Sequence, residues 1–350
     1  MYGGVPTTAH PILFMTVCMS IACIYLTWTH LTVPSPVLNP GSDRRTLPRA
    51  HFCTAHELAH GSWVTDPNAT FHWDDPAFSH AQWVRTASCR QFVFTTPEEV
   101  GTLLLSRNIS VIWSGNSIMR HVFFRAAELM AGQPRAIGPN QDYGIFSREN
   151  EKTACKKQLE LNNSFDYHKP GCGTSCCGAC SCLSSVQDVP QYFVWQQEWF
   201  DERLRKAWER LIAIEQEKNP RQHIFLTMNA GLIWAWQKAG QSLPLMIEQF
   251  AELKTWIIQL PPNVHVIYTS STSTASVDQN LWMSAQDGLL RVLFETIHQS
   301  RRPVFLSLRE ISRDHVDFVD GNHFTGRTAD AVIDAILHVI VHWNAVHAAE

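Results

Sequence analysis

An α/β fold, with a doubly wound and mainly parallel sheet, is what this sequence of 350 residues predicts. Two observations carry the prediction. Short apolar runs recur at 111–114, 192–195, 223–229, 264–270 and 303–308, without the polar alternation of a strand that has one wet face. Longer stretches with helical apolar spacing lie between and after them, at 117–131, 198–217, 244–258, 280–298 and 327–345. Such sheets bind ligands at the carboxyl ends of their strands, so the residues that follow each run matter most.

In chain order, residues 1–10 are a short tail and 11–33 an apolar stretch. Its core, "PILFMTVCMSIACIYLTW", has no formal charge and is long enough to cross a bilayer. No small-residue cleavage site follows it, so it reads as an uncleaved signal anchor. Residues 34–52 are rich in proline and polar residues, like a stem. From Cys53 to Glu99 periodicity is weak, and an irregular lead-in pinned by cysteines is expected. The five run-and-helix units then occupy the rest of a domain spanning 53–350. They are interrupted at 133–190 by a Cys-rich insertion, read as a stapled cap near one end of the sheet.

Composition narrows the function. Hydrophobic residues make up 45% and charged residues 17%, as in a globular domain. A net charge of −4 with no basic run argues against a nucleic-acid protein. Orientation of the anchor is contested within the sequence. Arg44, Arg45 and Arg49 follow it and would favour a cytosolic domain. Eight cysteines outside the anchor, an even number, suit an oxidising compartment instead. "CGTSCCGACSC" (172–182) could also hold zinc, but it lacks paired Cys-x-x-Cys knuckles. Three glycosylation sequons, at Asn68, Asn108 and Asn162, side with the cysteines. The expectation is a single-pass type II protein of a secretory-pathway membrane, with its main domain in the lumen.

Three stretches carry chemistry. In "SGNSIMR" a strand breaks at Gly115-Asn116 and a helix opens at Ser117. There a serine can be a nucleophile beside helix N–H groups, or merely the helix cap. In "DFVDGNHF", Asp320 stands three residues before His323 in a glycine-containing turn, a spacing that lets a carboxylate orient an imidazole. That pair could equally be a surface turn. In "FLTMNAG", Asn229 ends a strand at the same edge, where its amide could donate to an oxyanion or simply shape a turn. Arg120, one helical turn after Ser117, could support the site, bind an anionic donor group, or form a salt bridge at the helix start.

The order Ser, Asn, Asp-x-x-His, each at a strand end, resembles the SGNH/GDSL hydrolase superfamily. Gly115-Asn116-Ser117-Ile118-Met119-Arg120 and Asp320–His323 resemble the Gly-Asp-Ser-x-x-Arg and Asp-x-x-His blocks of its PC-esterase branch. That branch includes the trichome-birefringence-like proteins and the Cas1-type sialate O-acetyltransferases. Cys53, "GSWV" (61–64) and "AQWVRTASC" (81–89) are similar to the plant group. The resemblance implies a triad of Ser117, Asp320 and His323, with Asn229 as oxyanion donor. Asn116 departs from the family's aspartate, removing a charge at near-constant shape. The family's second donor glycine has no fixed place here; Gly144, Gly171 and Gly173 are candidates.

By the resemblance the protein is expected to be a glycan or polysaccharide O-acetyltransferase, working through an acetyl-serine, at the Golgi or another secretory membrane. The same fold could serve as a carbohydrate O-acetylesterase, or as a glycan-binding scaffold that has lost activity. No bound cofactor or metal is expected. An acetyl donor such as acetyl-CoA is a substrate, a membrane partner could deliver it, and the partner molecule is a glycan acceptor.

Overall fold

The computed structural model describes residues 51–65, 81–85, 89–90, 97–130, 182–186, 189–196, 199–229, 243–273, 277–312 and 326–349. They fall in one compact unit, Ala50–Glu350. The predicted anchor, nearly all of the stem, most of the Cys-rich segment, and Asn68, Asn162, Asp320 and His323 lie outside the described residues. So do the glycine candidates Gly144, Gly171 and Gly173. No helix among the described residues is long and apolar enough to cross a membrane.

The described elements are α1 (Ala55–Ala59), β1 (Gly61–Thr65), β2 (Ala81–Arg85), α2 (Pro97–Ser106), β3 (Ile109–Gly115), α3 (Ser117–Met130), β4 (Cys182–Val186) and β5 (Val189–Trp195). They continue with α4 (Glu202–Lys218), β6 (His223–Asn229), α5 (Leu243–Gln259), β7 (Val264–Thr269), α6 (Val277–Glu295), β8 (Val304–Leu306), α7 (Leu308–Ser312), α8 (Gly326–Val341) and α9 (Trp343–Ala349). All five predicted strands are present and mutually parallel, in the order β5-β3-β6-β7-β8. A sixth strand, β4, pairs antiparallel with β5 at the edge.

Alternation along β3 shows why the sheet is buried on both faces. Val111 and Trp113 join one core with α3 and α8, through Val122, Phe123, Val332 and Ile336. Ile112 joins the other with α4 and α5, through Leu204, Trp208, Phe250 and Leu253. Each strand therefore reads as a continuous apolar run.

Three expectations need correction. The lead-in is not wholly irregular. Thr54 and Glu57 cap α1 reciprocally, and β1 and β2 form an antiparallel pair; the expected pinning by cysteines is present as the Cys53–Cys89 disulfide. The helix α2 went unanticipated, although Pro97, Glu98 and Glu99 at its start are ordinary helix-opening residues. The end of the segment read as an insertion, residues 182–186 and 189–190, is strand rather than cap.

Candidate active site

Chain order turns back between β3 and β6. From β3 the chain moves outward to β5 on one side, and the later strands β6, β7 and β8 add on the other. The carboxyl end of that gap is the switch point at which open α/β sheets bind ligands. Gly115 and Asn229 are register partners there.

Gly115 is required by space. A Cβ on it would lie 2.5 Å from Met119 Cγ and 2.8 Å from the Asn229 carbonyl oxygen, too close for any side chain. This contact seats the first turn of α3 against the end of β6. Asn116 then caps the helix. Its Oδ1 accepts from the Ile118 N–H at 2.9 Å, and its carbonyl accepts from the Arg120 N–H at 3.0 Å. Ser117 is therefore the first helical residue and not the cap, which removes the bland explanation for a serine at this turn. It is half-buried at the positive end of the helix dipole.

Asn229 is buried at the end of β6, and its Nδ2 donates to the Ser270 carbonyl at 2.8 Å. That bond fixes the plane of the amide and leaves the second N–H of Nδ2 for another acceptor. Arg120 is half-buried, with its guanidinium 5.7 Å from the centre of the Trp195 ring at the end of β5. Beneath the edge, Ser114 Oγ donates to Gln196 Oε1 and accepts from Trp208 Nε1, both at 3.1 Å, while the Gln196 N–H donates to the Gly115 carbonyl at 2.8 Å. The floor of the site is thus hydrogen-bonded from α4 to β3.

The sequence reading missed the run Ser270–Ser273 after β7, although a polar run closing a buried strand is a visible signal. Ser270 Oγ accepts from the N–H groups of Leu308 and Arg309 at 2.9 and 3.2 Å, so it caps α7. Among the described residues the buried hydroxyls of Ser271 and Thr272 have no hydrogen-bond partner, and neither does Asn116 Nδ2. Buried polar atoms are rarely left unpaired, so three of them on one sheet edge mark unspent binding capacity.

Next to this edge, on α6, Asp287 accepts from Tyr268 Oη at 2.8 Å and from Arg309 Nη2 at 2.7 Å. Burial raises the Asp287 carboxyl above its usual range, against the opposing pull of Arg309. The same burial, with Asp287 alongside, pushes the Tyr268 hydroxyl up. These groups tie β7, α6 and α7 together and serve the edge as scaffold.

The structure thus brings Gly115, Asn116, Ser117, Arg120 and Asn229 to one edge. The helix following residues 313–325 is α8, locked to α3 by a buried pair: Arg125 Nε donates to Asp330 Oδ1 at 2.6 Å and Nη2 to Oδ2 at 3.1 Å. Asn108 sits at positive φ (52°) in the turn before β3, with its side chain exposed, whereas Ser110 of the same sequon is buried within the strand. Modification of Asn108 would therefore have to precede folding of β3. Among the described residues no cluster of three or more His, Cys, Asp or Glu could hold a metal ion. No protein-family model and no curated protein matches this chain.

Proposed function

We propose that the protein is an acyl-transfer enzyme of the SGNH/GDSL type, in the PC-esterase branch, that moves acetyl groups onto glycan hydroxyls. The observation that carries this is the position of Ser117. It opens a helix at the switch point of the sheet, is not the helix cap, and stands beside the paired ends of β3 and β6 with the Asn229 amide.

In the proposed reaction, His323 held by Asp320 takes the Ser117 proton as Oγ attacks the acetyl carbonyl. The tetrahedral oxyanion is held by the Ser117 N–H and the second N–H of Asn229 Nδ2. Its collapse expels the donor's leaving group, which takes the proton from His323, and leaves acetyl-Ser117. A sugar hydroxyl then gives its proton to His323 and attacks the ester, and collapse of the second tetrahedral intermediate expels Ser117 Oγ, which takes that proton back from His323. Water in the sugar's place makes the protein an esterase, so exclusion of water by the bound acceptor decides between transfer and hydrolysis. The setting proposed is a secretory-pathway membrane, with residues 11–33 as anchor and the catalytic domain luminal.

The test uses the full chain with 4-nitrophenyl acetate. Wild type should release nitrophenol and yield an acetylated peptide containing Ser117. Ser117→Ala should lose at least ~10³-fold in rate and all of the label while melting like wild type. Equal rates in the two folded proteins would overturn the assignment.

A further inference from the structure

A cavity lined by described residues lies at the other end of the sheet, where β3, β6 and β7 begin. Its volume is about 530 Å³, the size of a small-molecule pocket. Its wall is apolar and ringed: Phe225 and Trp343 meet edge to face with centres 5.6 Å apart, and Ile109 and Ile340 extend the surface.

Polar groups converge on that wall. His223 Nδ1 and His265 Nε2 are 2.9 Å apart, with the two rings within 16° of parallel and their centres 5.2 Å apart. Those values describe two imidazoles joined end to end in one plane rather than stacked face on face. One nitrogen of each ring is spent on the other, and each ring keeps one to offer. Arg107 lines the same cavity. Its Nη1 donates to the Val341 carbonyl, and no described residue lining the cavity is an aspartate or glutamate. The formal charges that bear on its imidazoles are those of arginines. Burial lowers His342 and His265 first, and the charges that lower them further are Arg107 and Arg90 for His342, and His223, His347 and Arg301 for His265.

We infer that this cavity is a second binding site, for a small organic anion: a carboxylate or phosphate carried on an apolar body. The anion is met by the Arg107 guanidinium and by the remaining ring nitrogens of the His223–His265 pair, and the body lies against Phe225 and Trp343. A cation is disfavoured by the arginine and the missing carboxylates. A bare inorganic anion leaves the ringed wall unused, and a neutral apolar molecule makes no use of the guanidinium donors beyond the one bonded to Val341. The site is independent of the acyl-transfer reading, and its ligand need not resemble a glycan.

Calorimetric titration of the full chain with phenyl phosphate tests this, with inorganic phosphate and benzyl alcohol as charge-only and body-only probes. Phenyl phosphate should bind one to one, at least tenfold more tightly than either probe. Arg107→Gln should weaken it at least tenfold and Ser117→Ala should leave it unchanged. Because Arg107 also bonds the end of α8, a second variant removes no donor: Ala345→Trp, at an exposed position on the rim, should block the cavity and abolish binding. Absence of heat up to millimolar phenyl phosphate, equal affinity for phenyl and inorganic phosphate, or undiminished binding in Ala345→Trp would overturn the site.

Discussion

The two ends of the sheet are built from opposite chemistry. At the carboxyl end the fully buried side chains of Asn116, Asn229, Ser271 and Thr272 are neutral amides and hydroxyls, and the cation Arg120 is only half-buried beside them. At the amino end they are imidazoles and guanidinium groups around an open cavity. Helix direction explains the division. In a parallel α/β sheet, helices start at the carboxyl edge and finish at the amino edge, so the first is bathed in partial positive charge and the second in partial negative charge. An oxyanion site at the first edge needs no cation. At the second edge cations answer helix carbonyls, as Arg107 does at Val341 and Arg301 at Leu260, the latter at 2.7 Å. The lesson is that charge at the amino edge arises first as helix capping, and the cavity draws on what is already there.

The comparison can be broken most forcefully at the clamp between α3 and α8. Asp330→Ala leaves Arg125 buried without its carboxylate and should cost about 3–5 kcal/mol, read as a lower urea midpoint. It should remove ester cleavage at temperatures where Ser117→Ala is still folded. A loss below 1 kcal/mol would mean that the carboxyl edge is held from elsewhere.

Acid should separate the ends next. Burial and its cationic neighbours lower His265 from 6.5 to about 3. The folded state therefore binds fewer protons than the unfolded state between those values. Stability is complete above about pH 6.5 and drains away as the pH falls toward 3. His265→Gln should flatten this slope by up to about 1.4 kcal/mol per pH unit, measured by urea titration at pH 7, 5 and 4. An unchanged slope would show that His265 takes up no extra proton on unfolding. Asn116, Asn229, Ser271 and Thr272 do not titrate and contribute nothing to the slope.

The smallest effect sharpens the carboxyl end alone. Asn116→Ala removes the cap of α3 and should cost about 1 kcal/mol, whereas Asn116→Asp keeps a capping oxygen and should melt near wild type. Asn116→Asp restores the residue of the Gly-Asp-Ser-x-x-Arg block and should keep ester cleavage; its loss would show that Nδ2 serves the reaction.

The parallel core was legible because each strand is a local signal: a short run rich in Val, Ile, Phe and Trp needs no knowledge of its neighbours. Helix α3 was legible for the same reason, read over 117–131 and found over 117–130. What failed was non-local. The strand read at 303–308 stops at Leu306 because Ser270, just past the end of β7, takes the N–H groups of Leu308 and Arg309 and starts a helix. The edge strand β4 was hidden by the cysteine-dense composition before it, and the β1–β2 pair by the distance between its halves. At the candidate site, asparagine and serine cap helices about equally well, so sequence could not choose between Asn116 and Ser117. The choice was settled by Gly115 seating the first turn against Asn229. His223 and His265 lie 42 positions apart and meet only through strand pairing, so nothing local announced their cavity.

The clamp between Arg125 and Asp330 also has a consequence for the timing of synthesis. Its two halves lie 205 positions apart. At ribosomal speeds of about 5–20 residues per second, that is a wait of roughly 10–40 s. For that interval the arm carrying Ser117 exists without the contact that fixes it. A nascent chain interrupted before α8 would bear the serine on an unlocked arm, so translation itself delays the moment at which the site can form.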